Sequence, residues 1–311
     1  MARQMDAPAT PTTARSEART GLVLGSAAYA LWGLLPIYFK LLSTVPAVAI
    51  VAHRVVWSLL FLGGLLAVRR SWAEVAAVLK RRGTLLLLLA TSVLIAVNWL
   101  VYVYAVNSGH ILAGSLGYYL NPLANILLGR FVLKEHLSRV QWLAVGIAAA
   151  GIAVLAVGAL AHLWISLTLC VSFALYGLLR KIAHVDATAG LFVETAILFV
   201  PALAFLLLFA DPAAPSWTAD KSTAALLVGS GVASTIPLLL FTAAARRLAY
   251  STLGILQFIA PTLQFLVAVF GYGEPFGPAH ALAFGCIWTA AALYLWSALR
   301  ASPPPPVSEE P

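Results

Sequence analysis

GLVLGSAAYALWGLLPIYF, residues 21–39, runs nineteen residues without a charge. A helix crosses the hydrocarbon of a bilayer in roughly 20 residues. The apolar core of a signal peptide spans only about 7–15. The run therefore reads as a membrane span, and its inner hexapeptide returns later in the chain. Tyr29-Ala30-Leu31-Trp32-Gly33-Leu34 is echoed by Phe173-Ala174-Leu175-Tyr176-Gly177-Leu178, 144 positions on.

The rest of the chain has the same solvent preference. Of 311 residues, 62% are hydrophobic and 10% charged, with a mean hydropathy of +0.94. Soluble domains carry roughly 25% charged residues. Apolar runs of spanning length lie near 21–39, 46–68, 84–106, 112–131, 140–158, 162–179, 189–209, 223–243, 251–270 and 278–299. The expected fold is an all-α integral membrane protein of ten transmembrane helices. Residues 1–20 and the Pro-rich stretch 300–311 read as disordered cytoplasmic tails.

Basic residues set the expected orientation. Sixteen of the nineteen Lys and Arg fall on the side of the N-terminus, among them Arg69, Arg70, Lys80, Arg81, Arg82, Arg180 and Lys181. Lys40 and Lys221 face the other side, and Arg54 lies inside a span. Positive residues stay in the cytoplasm, so both termini are expected there, in a multi-pass protein of the plasma membrane. The net charge of +8 is then a topology signal and does not indicate nucleic acid.

A second echo strengthens the first. At an offset of 139, Asn121-Pro122 meets Ala260-Pro261, Asn125 meets Gln264, Tyr102 meets Phe241 and Glu135 meets Glu274. Two five-span repeats, residues 21–158 and 162–299, account for both offsets. Five is odd, so the second copy enters the membrane from the opposite side. Inverted repeats of this kind place a solute site at their interface near the midplane in secondary carriers.

Charges inside spans need a reason, since each costs about 2.5–3.5 kcal/mol on insertion scales. Arg54 in span two and Glu194 in span seven are such charges, and His53 is the repeat equivalent of Glu194. Arg54 could offer a fixed cation to an anionic or zwitterionic solute, with Glu194 and His53 as proton acceptor or gate. An Arg54–Glu194 pair that merely pins the halves is the alternative. Asn98, Trp99 and Tyr102 in span three, and Tyr118, Asn121 and Asn125 in span four, form a polar stripe; Gln257 and Gln264 form its counterpart in span nine. Such stripes line a pathway or bond helices together. Pro122 and Pro261 interrupt both stripes and permit bending. Trp32 and Tyr176 read as core aromatics or as an aromatic gate. Glu135 and Glu274, just beyond helix ends, read as loop anchors. Gly146, Ala150 and Gly151 could form a contact face for a homodimer.

These motifs together resemble EamA-type carriers of the drug/metabolite transporter superfamily, most closely the RarD subgroup. The carrying segments include Ala30 to Lys40, His53-Arg54-Val55-Val56-Trp57-Ser58, Asn98-Trp99, Ser115 to Leu123, Phe173 to Lys181 and Ser251-Thr252-Leu253-Gly254. The resemblance implies a ten-helix inverted-repeat carrier of the cytoplasmic membrane. Spans one to four and six to nine would surround its cavity. RarD proteins are described as chloramphenicol-sensitivity proteins, which names no physiological solute. One departure concerns the Gly-Glu pair after span four, which reads Lys134-Glu135 here and Gly273-Glu274 in the second half.

The expected activity is gradient-coupled transport of a small metabolite or amphiphilic solute by alternating access, with no cofactor and no catalytic residue. An intramembrane enzyme acting on a lipid-like substrate and a non-transporting structural protein are the competing classes. Neither a nucleotide-binding loop nor an H-E-x-x-H or Gly-x-Ser-x-Gly motif occurs. Cys170 and Cys286 lie in apolar runs and have no metal-ligand spacing, so no metal is expected.

Overall fold

The computed structural model describes residues 11–108, 110–156, 162–209, 220–271 and 277–300. These residues form helices α1 (Pro11–Lys40), α2 (Ala47–Arg69), α3 (Trp72–Lys80), α4 (Arg82–Asn107), α5 (Ile111–Phe131) and α6 (Arg139–Ala156). There follow α7 (Leu163–Ile182), α8 (Ala187–Leu208), α9 (Lys221–Ala245), α10 (Tyr250–Leu256), α11 (Ile259–Leu266) and α12 (Pro278–Arg300). Among the described residues nine helical stretches are long and apolar enough to cross a membrane, with Tyr250–Gly271 counted as one. The expected fourth span is the 21-residue α5, which is not among the nine and carries Asn121, Pro122 and Asn125.

Three features depart from expectation. Helix α1 starts at Pro11, so residues 11–20 are helical, and Glu17 pairs with Arg247 at 2.9 Å. The basic segment after α2 holds α3, which buries Val75 and Val78 at helical spacing and places Trp72 edge-on to Phe192 at 5.3 Å. The ninth span is broken: α10 stops at Leu256, α11 begins at Ile259, and a π-helical turn covers Val267–Gly271. Its cause is local. Pro261 has no N–H to give the carbonyl of Gln257, and Ala260 donates to that carbonyl instead, at 3.2 Å.

The helices pack in a regular set of pairs. Helix α2 lies on α8 and α9, α6 on α12, α5 on α7 and α10, α1 on α9 and α11, and α4 on α7 and α8. Arg69 at the end of α2 donates to Thr188 at the start of α8 (2.7 Å), so these two helices run antiparallel. Small residues bring backbones together: a Cβ added at Gly231 of α9 would lie 2.6 Å from the Trp57–Ser58 backbone of α2. Gly151 on α6 is likewise used internally, against Ala283 and Cys286 of α12. Only Gly146 and Ala150 of the small-residue face stay exposed.

Capping fixes where helices begin. Asp186 accepts from the backbone of Thr188 (2.8 Å) and Ala189 (3.3 Å) at the start of α8. Burial alone would raise its carboxyl's pKa, but these donors and Arg69 hold it below the ordinary value. A lowered folded pKa means the cap stabilises above about pH 4 and is lost as pH falls further.

Lys134, where the related pattern has glycine, sits at φ 58°. That left-handed region costs an L-residue with a Cβ roughly 1–2 kcal/mol. Lys134→Gly is expected to raise the melting temperature by about 1–3 °C, part of the relief being offset by the greater unfolded-state entropy of glycine. Thermal denaturation of the purified protein measures it, and an unchanged or lower value refutes the strain.

Candidate functional site

A narrow interior space lies where α2, α4, α7, α8 and α9 converge. Arg54, Trp99, Tyr176, Glu194, Thr195 and Ser234 line it with apolar neighbours. The room for the centre of a water molecule is about 20 Å³, on the order of one water. Arg54 and Glu194 each lie seven residues after the first residue of their helix, α2 or α8. Because those helices are antiparallel, the two charges enter the space from opposite ends.

At one end, the Arg54 guanidinium is 4.8 Å from the Trp99 ring centroid and 5.4 Å from that of Phe39. Its Nε donates to Ser234 Oγ at 2.7 Å. Tyr102 and Tyr118, with ring centroids 5.5 Å apart, are close enough to interact electrostatically with it. Among the described residues no carboxylate lies within ion-pair distance of Arg54.

At the other end Glu194, 2% exposed, pairs with Arg180 and not with Arg54. Arg180 Nη1 is 3.6 Å from Glu194 Oε1, and Thr91 donates its hydroxyl to the same oxygen. The Tyr176 and Thr242 hydroxyls stand beside this group. Glu194 Oε2 has no hydrogen-bond partner among the described residues. Of the two readings of Arg54 and Glu194, the pair that pins the halves is not seen among the described residues, where Glu194 pairs with Arg180. Arg180, assigned from sequence to a cytoplasmic loop, is a buried side chain at 1% exposure. Gly190 makes room for it, since a Cβ there would run into the guanidinium.

The remaining candidates divide. Asn98 bonds α7 through Leu169 O (2.9 Å) and Ser172 Oγ (3.0 Å), and so acts as helix-to-helix glue. Asn125 donates to Gln257 Oε1 at 2.7 Å, joining the two stripes directly. Gln264 reaches the carbonyl of Trp32 at 3.3 Å, the carbonyl that Pro36 leaves without its usual helical partner. His53 is buried on α2, next to Arg54. Asn121 is fully buried beside Pro122. Trp32 and Tyr176 meet in one aromatic cluster with Tyr29, Phe173 and Phe241, at centroid distances of 5.5–6.4 Å.

Sequence likenesses identify the family of the chain. The profile of the EamA-like transporter family matches residues 19–157. A Pseudomonas aeruginosa protein named as an uncharacterized transporter is 47% identical over 94% of this chain and 99% of its own length. Protein RarD of Escherichia coli is 42% identical over 91% of this chain and 96% of its own. The chain belongs to the EamA-like transporter family, in its RarD subgroup. A crystal structure at 21% identity superposes with a TM-score of 0.71 over 90% of this chain and 99% of that one, a likeness of fold. Membership makes the protein a multi-pass membrane transporter.

In this RarD-type chain Glu135 anchors its loop to α10 and not, as the sequence reading expects, to the helix that follows it in sequence. Its carboxylate accepts from Tyr250 N (2.5 Å), Ser251 N (2.9 Å) and Ser251 Oγ (2.6 Å) at the start of α10. Its counterpart Glu274 lies outside the described residues. Glu135→Gln keeps the shape but replaces one acceptor oxygen by an N–H donor facing these donors. A loss of about 2–3 kcal/mol is expected, read as a lower melting temperature of the purified protein. A melt equal to wild type would remove the anchoring role.

Proposed function

We propose that this chain is a secondary carrier for a small, amphiphilic solute bearing an anionic group, working by alternating access and coupled to an ion gradient. The observation that carries this reading is Arg54, a cation inside the interior space with no carboxylate partner among the described residues. A guanidinium flanked by Trp99 and Phe39 suits a ligand with a planar or apolar body and a negative head. The space has room for about one water, so helices must move apart before any solute enters. That requirement favours a carrier over a permanently open channel.

Two five-helix halves, 21–158 and 162–299, related by an inverted repeat are part of this proposal, with α5 as the tenth crossing and both termini in the cytoplasm. Support comes from the pairing of helices. The contacts of α1 with α9 and α11 are mirrored by those of α7 with α4 and α5, while α2–α8, α5–α10 and α6–α12 are each their own mirror. Glu194, with an unpartnered oxygen in the same space, is the candidate for the coupling proton, and His53 is its companion on α2.

Thermal shift of the purified protein across a metabolite library tests the proposal. Selective stabilisation by compounds with a carboxylate or phosphate on an apolar body is the expected result. Stabilisation by none of them, or by neutral and cationic compounds alone, counts against it. An intramembrane enzyme would instead convert a lipid-like compound, which product analysis detects.

A further inference from the structure

Asn121 poses a problem that the carrier reading leaves open. Its side chain is 0% exposed, and among the described residues neither Nδ2 nor Oδ1 has a hydrogen-bond partner. An unpaired amide buried away from water is destabilising, because it has given up its hydrogen bonds to water without replacement. Each such group in a native protein has a cause, among them strain, a bound water or a bound ion.

The neighbourhood supplies further oxygens. Asn125, one turn along α5, spends its Nδ2 on Gln257 and leaves its Oδ1 unpartnered. Pro122 and Pro261 each lack an N–H, so the carbonyls of Tyr118 and Gln257 lose their usual helical partners. Gln257 O retains one bond, from Ala260 N at 3.2 Å, and has a second lone pair. The facing backbones are close: a Cβ at Gly254 would lie 2.8 Å from Pro122 O and 3.0 Å from Asn125 Cβ. Asn121 lies one helical turn from Asn125, which bonds Gln257 at the break between α10 and α11.

Oxygen-only donors select a hard cation. All of these donors are neutral, so a divalent ion would bring two uncompensated charges into the membrane interior. Among the described residues no cluster of three or more His, Cys, Asp or Glu exists to hold a transition metal. Interrupted helices whose freed carbonyls face a cavity coordinate Na⁺ in other carriers.

We infer that Asn121, Asn125 and the carbonyls of Tyr118 and Gln257 form a Na⁺ site at the break in the ninth span. As a coupling site it rests on the carrier reading, but binding of the ion does not require transport.

The test is thermal denaturation of the purified full-length protein in NaCl, KCl and choline chloride at equal ionic strength. At a hundredfold excess over its Kd, Na⁺ is expected to raise the melting temperature by about 5 °C over choline, and K⁺ is not. Asn121→Ala should melt at one temperature in all three salts. Should that variant fail to fold, binding of radioactive ²²Na⁺ to the wild type, displaced by NaCl and not by KCl, decides. Equal melting in all salts with no displaceable ²²Na⁺ overturns the site and leaves Asn121 to water alone. Absent solute flux with intact Na⁺ binding counts against the carrier reading and not against the site.

Discussion

Arg54→Gln is expected to lower apparent solute affinity by about a hundredfold while leaving the protein folded. A charge-assisted hydrogen bond is worth about 1.5–3 kcal/mol, and tenfold in affinity is about 1.4 kcal/mol. The fold should survive because the guanidinium's hydrogen bond is to the neutral hydroxyl of Ser234, and it neutralises no carboxylate among the described residues. Its removal strands no counter-charge. Arg54→Lys should fall between the two, since an ammonium keeps the charge but loses the planar stack over Trp99 and the forked donor geometry. The measurement is counterflow in proteoliposomes with whichever compound stabilises the wild type, beside a melting curve of each variant. Wild-type affinity in the Gln variant would remove Arg54 from the solute site. A collapsed melt in both variants would assign Arg54 to the fold.

Much of this was readable in the residues, and the misses have physical causes. Nine spanning stretches follow from apolar length, and Arg54 and Glu194 are conspicuous because charge is costly in lipid. Arg180 was hidden by position. It stands beside Lys181 at the end of an apolar run, where a basic residue ordinarily marks a cytoplasmic loop. The only warning was Gly190, whose missing side chain leaves the guanidinium its room. Helix α3 escaped because nine residues cannot span a bilayer, although Val75 and Val78 carry its helical spacing. Pro261 pointed to bending in span nine, but a proline does not reveal whether a helix kinks or splits. The split depends on Ala260 donating to Gln257 O, which is visible only in three dimensions. Lys134 shows the reverse case. There the departure from glycine is plain in sequence, yet the turn is kept and the side chain tolerates the positive φ.

The buried Arg180–Glu194 pair separates structure from coupling through a double-variant experiment. Breaking a buried pair from one side strands a charge and costs about 3–5 kcal/mol. Arg180→Leu should therefore melt far below wild type, because Glu194 then has only the hydroxyls of Thr91 and its neighbours to face. Glu194→Gln strands Arg180 in the same way, with both side chains at 3% exposure or less. Replacing both removes both charges, and double variants of this kind often recover the loss. Arg180→Leu/Glu194→Gln is thus expected to melt within about 1 kcal/mol of wild type. Once folding is restored, transport reports on the charges themselves. The double variant should still exchange solute down its concentration gradient, since Arg54 is intact, but should no longer accumulate it against one when a proton gradient is applied. Accumulation at the wild-type level would show that the pair only holds α7 to α8. A double variant as unstable as either single one would show that Glu194 is fixed by contacts other than Arg180, and the pairing would lose its place in the mechanism.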